Sequence, residues 1–147
     1  MEVILIRHGI AEDGVVDAKR ELTPKGIERL HETFKDYAKE MVSNSMTRVW
    51  SSPLVRAVQT AAILCDHLKI EDFERYSFIA SGEYELFKEA IDAQDVRSRI
   101  IICGHEPILS EWTLELTGEY LPFKKGMIVS IDISEKPSIN YVIKPKK

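Results

Sequence analysis

Two short stretches of the chain are apolar at every position: Val3-Ile4-Leu5-Ile6 and Ile100-Ile101-Ile102-Cys103. Runs of this length without alternation predict strands covered on both faces, as in the middle of a parallel sheet. Between and around them the period is helical. Thr23-Pro24 reads as a cap followed by a first-turn proline, and Ile27, Leu30, Phe34, Tyr37 and Met41 follow at the spacing of one helix face. Residues 48–51 predict a short strand, and Ser51-Ser52-Pro53 opens a mostly buried helix over 54–68. Further along, the pattern predicts a strand at 74–79, a helix at 83–93 and another at 108–116. A half-exposed alternating strand at 128–133 then pairs with 139–143 as a hairpin. Strands alternating with helices specify an α/β domain with a mainly parallel sheet. No repeat, low-complexity segment or linker divides it, so residues 1–147 read as one domain.

Ligands of such sheets bind beyond the carboxyl ends of the strands, and there the sequence changes character. The first apolar run ends in Arg7-His8-Gly9 and the second in Gly104-His105-Glu106-Pro107. The strand at 48–51 ends at a helix start with Arg56 one turn inside. If the three strands are neighbours, two histidines and two arginines meet at one rim. A guanidinium matches phosphate oxygens two at a time, a helix amino end adds free N–H groups, and a neutral imidazole is a nucleophile at physiological pH. Phosphoryl transfer asks for little more.

Composition narrows the partners. With 20 basic and 24 acidic residues the formal charge is −4, which gives no general attraction for nucleic acid or an anionic membrane. Any affinity for anions must be local, and the closing Lys-Pro-Lys-Lys reads as a solvated tail with a weak preference for an acidic partner. No signal peptide or membrane span is visible, and Cys65 and Cys103 fall within core patterns, so a reduced, cytoplasmic protein is expected. Arg7 beside His8 and Arg56 nearby repel a cation, and no zinc-protease, P-loop or dinucleotide motif occurs. The expectation is no metal and no cofactor.

Arg7-His8-Gly9, Ser51 to Thr60 (SSPLVRAVQT) and Gly104-His105-Glu106-Pro107, in this order, resemble the histidine phosphatase superfamily, also called phosphoglycerate-mutase-like. The resemblance covers nearly the whole chain. It implies a three-layer α/β/α sandwich, a phosphohistidine intermediate on His8, and a phosphate pocket of Arg7, Arg56 and His105. Within the superfamily, Asp17 to Gly26 and the short length are similar to the SixA-type phosphohistidine phosphatases. Short connections imply an open site, suited to a phosphoryl group carried on a protein rather than to a small metabolite under a lid. The substrate implied is a phosphohistidine-bearing protein. A small phosphate monoester is the alternative, and a module that only binds phosphoproteins is a third.

Larger relatives place a carboxylic acid after the third strand to protonate the leaving oxygen. In this chain that stretch holds Glu83 and Glu85. Glu83 stays open as a general acid, while Glu85 reads as a first-turn glutamate favoured by the helix dipole. The resemblance also brings Arg20 toward the cleft. Ser52 reads as a cap, Glu106 as a contact to substrate or to His105, Trp50 and Trp112 as core, and His31 and His67 as structural residues that do not converge.

Overall fold

The computed structural model describes residues 1–145; the last two lysines of the expected tail lie outside them. In chain order the elements are β1 (Glu2–Arg7), α1 (Pro24–Glu40), β2 (Thr47–Ser51), α2 (Val55–Leu68), β3 (Glu74–Arg75) and α3 (Phe78–Ser81). There follow α4 (Tyr84–Asp92), β4 (Arg99–Gly104), α5 (Ile108–Thr117), β5 (Ile128–Asp132) and β6 (Ser138–Ile143). Among the described residues the strands form one sheet in the order β3-β2-β4-β1-β5-β6. Strands β3, β2, β4 and β1 run parallel, while β5 and β6 close one side antiparallel.

The two all-apolar runs become the two central strands, where each face of the sheet has a helical cover. Alternate residues of β1 divide between two cores. Val3 and Leu5 pack with Phe87, Leu109 and Trp112, whereas Ile4 and Ile6 pack with Leu30, Phe34 and Leu64. Helices α1 and α2 therefore cover one face and α3, α4 and α5 the other, which is the expected three-layer α/β/α sandwich. Helix α1 begins as read: Thr23 Oγ1 accepts a hydrogen bond from Gly26 N at 2.9 Å, with Pro24 in the first turn. Gly26 is required there by close approach, since a Cβ would lie 2.4 Å from the Ile10 carbonyl oxygen.

Three expectations change. The strand predicted at 74–79 stops after Arg75, and Phe78–Ser81 coils into one helical turn ended by Gly82 in the left-handed region. Phe78 and Ile79 are consecutive yet enter the same core; a strand would send them to opposite faces, so the chain turns helical. Strand β5, predicted half-exposed, is buried from Ile128 to Ile131, because it lies between β1 and β6 with helices on either side. Its one buried polar side chain, Ser130, donates from Oγ to the Glu2 carboxylate. Finally, His31 and His67 do meet across α1 and α2, Nδ1 to Nε2 at 2.9 Å. Trp50 and Trp112 are core residues as read, and both cysteines are buried free thiols. No helix among the described residues is long and apolar enough to cross a membrane.

Candidate active site

Strand register builds the site. In the parallel ladders Arg7 stands opposite Gly104, and Ser51 opposite Cys103. The ladders continue one step beyond the strands: His8 N donates to Gly104 O at 3.0 Å and Ser52 N to Cys103 O at 3.1 Å. His8, His105 and Ser52 thus leave three neighbouring strands at one level. The imidazole centroids of His8 and His105 lie 5.2 Å apart. Arg56, one turn into α2, is 8% exposed and the two histidines 6% each. Of the residues expected at the rim, Arg7, His8, Arg56 and His105 are brought together.

Each ring has a defined neighbour. His8 Nδ1 lies 2.7 Å from the Gly9 carbonyl oxygen. A carbonyl only accepts, so Nδ1 carries the proton and Nε2 presents its lone pair. His105 Nε2 is 2.7 Å from Ser52 Oγ, which accepts from Leu54 N at 3.1 Å and has its own hydroxyl proton to donate to the ring. Ser52 therefore holds both the entry to α2 and the second imidazole. Burial lowers the His8 pKa to about 3, with His105, Arg56 and Arg7 adding repulsion to the charged form. Burial likewise takes His105 down to about 4, again with Arg56 and Arg7 opposing its protonation. Both rings are neutral near pH 7.

The guanidiniums are held from far along the chain. Arg7 Nη1 donates to Phe123 O at 2.8 Å. Burial lowers the Arg7 pKa and the Glu106 carboxylate works against that shift. Arg56 donates from Nη1 to Asp17 O at 2.9 Å and from Nη2 to the Asp17 carboxylate at 3.2 Å. Arg7 Nε, Arg56 Nε and His105 Nδ1 are buried without a protein partner. These three nitrogens belong to the residues gathered at the strand ends and leave hydrogen-bonding capacity unspent there.

Arg20, expected along the cleft, reaches the group indirectly: its Nη1 meets the Asp17 carboxylate at 3.0 Å and its Nε donates to Glu12 O at 2.7 Å. Asp17 therefore bridges two arginines, which hold its carboxyl below the ordinary range. Glu83 is the exposed residue before α4 and accepts from Ser81 Oγ at 2.9 Å; no hydrogen bond joins it to the histidines or arginines of the site. Glu106 neither orients His105 nor stands free for substrate. Its two oxygens accept from Ser110 N at 2.8 Å and Phe123 N at 2.9 Å, fixing the loop whose carbonyl holds Arg7.

Sequence reasoning missed Asp17, Thr60 and this role of Glu106. Thr60 Oγ1 accepts from Gly9 N at 3.2 Å and donates to Arg56 O at 2.8 Å, locking the turn after His8 to α2. Its place four residues after Arg56 on the same helix was the available signal.

Two arginines and two neutral imidazoles gathered at the strand ends of an α/β/α sandwich are the groups phosphoryl transfer needs. Residues 3–100 match the family model of the histidine phosphatase superfamily (branch 1), and the chain belongs to that superfamily. Its structure is similar to the protein histidine phosphatase SixA complexed with tungstate, with a TM-score of 0.86, 24% identity, and 98% of this chain and 97% of that one covered. A SixA from Agrobacterium tumefaciens follows at a TM-score of 0.84 and 19% identity, over 99% and 98% of the two chains. Phosphoserine phosphatase from Entamoeba histolytica, in complex with 3-phosphoglyceric acid, gives 0.71 and 18%, over 96% and 95%. No curated protein matches in sequence.

Proposed function

We propose that this phosphatase works through a phosphohistidine intermediate on His8 and that its substrate is phosphohistidine carried on a protein. The observation that carries the mechanism is the His8 Nδ1–Gly9 O hydrogen bond, which leaves Nε2 unprotonated in a cationic pocket. In the first step Nε2 forms a bond to phosphorus as the substrate's P–N bond breaks, and the substrate imidazole departs with the electron pair. In the second, water attacks phosphorus, His8 is released and inorganic phosphate leaves. Arg7, Arg56 and His105 hold the equatorial oxygens in both transition states.

The carboxylates nearby favour this substrate. Asp17 is kept ionised by Arg20 and Arg56, so it holds no proton for a leaving group near neutral pH. Glu106 is committed to two backbone amides. An alkoxide departs poorly without an acid, whereas imidazole needs less help. The likeness to SixA, solved with the oxyanion tungstate, supports the same reading. The likeness to a phosphoserine phosphatase supports a second one, a small-monoester phosphatase with Glu83 as acid.

The test compares kcat/KM for a phosphohistidine-bearing protein domain and a panel of small phosphate esters, in wild type, Glu83→Gln and His8→Ala. The expected result is a His8-dependent preference for phosphohistidine that Glu83→Gln leaves intact. A preference for one ester, lost in Glu83→Gln, overturns the substrate assignment.

A further inference from the structure

Beside the phosphate pocket, a separate groove runs between α1 and the chain entering β5 and leaving β6. It encloses about 600 Å³. Its floor is small and apolar, with Gly9, Ile10, Leu30 and Pro145. Among the described residues its charged lining is of one sign: Arg7, Arg29, Lys124, Lys125 and Lys144, with no carboxylate. None of the last four makes an ion pair among the described residues. The chain itself carries a formal charge of −4, so this cluster is a local reversal of the protein's balance. Arg7 belongs to both the groove and the pocket, since it precedes His8.

Unpaired cations gathered within a Debye length reinforce one another's potential and draw anions to the surface between them. The volume is larger than a phosphoryl group needs and suits a few residues of chain. We infer that the groove binds an acidic segment of the phosphorylated partner protein, next to the phosphoresidue held at His8. The inference rests on the phosphoprotein reading above and adds a selection rule to it. Carboxylates flanking the phosphoresidue meet Lys124, Lys125, Lys144 and Arg29, while the aliphatic stems and apolar floor take the methylene parts of their side chains. The phosphoryl group supplies the chemistry and the flanking charge supplies the choice of partner.

Two phosphohistidine peptides test this, identical except that one carries glutamates and the other glutamines around the phosphoresidue. Wild type is expected to favour the acidic peptide in kcat/KM, and the preference to shrink as salt rises. In Lys125→Glu/Lys144→Glu the preference should fall by about tenfold, two exposed charge contacts being lost. Turnover of phosphoramidate, a small donor that does not reach the groove, should stay at the wild-type rate and shows that Arg7 is still in place. Lys125→Ala/Lys144→Ala should show a smaller loss in the same direction.

Equal kcat/KM for the two peptides in wild type overturns the proposal, as does a preference that survives charge reversal. Charge-dependent binding to phosphatidylserine vesicles without discrimination between the peptides assigns the cations to a membrane surface and also overturns it. If neither peptide is turned over while an ester is hydrolysed, the substrate reading fails. The groove is then judged by direct binding of the unphosphorylated acidic peptide: salt-sensitive binding that charge reversal abolishes supports it, and equal binding to wild type and variant overturns it.

Discussion

Two histidine pairs in this protein are nearly superimposable as ring geometry. His8 and His105 have centroids 5.2 Å apart and planes at 54°; His31 and His67 have 5.1 Å and 63°. Their surroundings differ in every other respect. The first pair is buried at strand ends, each ring bonded to something other than its mate and faced by two guanidiniums. The second lies on the outer surface of α1 and α2, each ring satisfied by the other. Proximity of imidazoles therefore says little about chemistry. What distinguishes a nucleophile is a nitrogen kept free of protons and partners, with positive charge arranged around the atom it attacks.

The largest effect that separates the pairs is at His8. His8→Ala should lower kcat by on the order of 10⁴-fold or more, as removal of a nucleophile does elsewhere, while His31→Ala leaves kcat at the wild-type value. Trapping of ³²P on the wild-type protein, absent from His8→Ala, identifies the residue that carries the phosphoryl group. Label retained in His8→Ala would remove His8 from the mechanism. The charge around that pair comes next. Arg56→Ala and Arg7→Ala should each lower kcat/KM by on the order of 10²-fold, the usual loss when one donor to a transition-state oxyanion is deleted. A loss confined to KM would reduce them to binding residues.

Asp17 sharpens the comparison because it sits on the charged side of only one pair. Its carboxylate occupies part of the Arg56 fork, but its main-chain carbonyl also accepts from Arg56, so the guanidinium keeps an anchor when the side chain is cut. Asp17→Ala should therefore tighten product inhibition by inorganic phosphate about two- to fivefold, the scale of an exposed ion pair. Weaker phosphate binding in the variant would show that the carboxylate positions Arg56 more than it competes for it.

The contrast between the pairs also explains what the sequence discloses. His8, His105 and Arg56 are legible because each follows a local signal at a strand end or helix start, and parallel register does the rest. The fold is legible for the same reason: all-apolar β1 and β4 and the capped, amphipathic α1 declare themselves within ten or so residues. The groups that tune the site are not legible. Arg7 is held by a carbonyl 116 positions away and Arg56 by a carboxylate 39 positions away, and no local pattern encodes such a partner. The meeting of His31 and His67 is not legible either, since helix periodicity gives each a face but not the rotation of one helix against the other. The turn at Phe78–Ile79 was misread because two adjacent apolar residues fit either a strand end or a helical turn, and only the shared core decides.

The smallest expected effect lies in the surface pair and concerns stability rather than rate. Burial and the neighbouring His31 lower the His67 pKa from its ordinary value, so the folded state binds protons less readily there than the unfolded chain. Between the two pKa values the unfolded state holds more protons, and stability rises with pH. The stabilisation is thus present above the unfolded value of about 6.5 and is lost as pH falls toward the depressed one. The His31–His67 hydrogen bond needs one ring to accept, and protonation of His67 opposes it in the same direction. At pH 8, His67→Ala should cost about 0.5 kcal/mol, at the low end for a hydrogen bond because the pair is exposed. As pH falls from 6.5 toward the depressed His67 value, the difference between wild type and variant should shrink in urea titrations. A difference that does not change with pH would mean that the two rings contribute packing alone, and that their hydrogen bond is energetically idle.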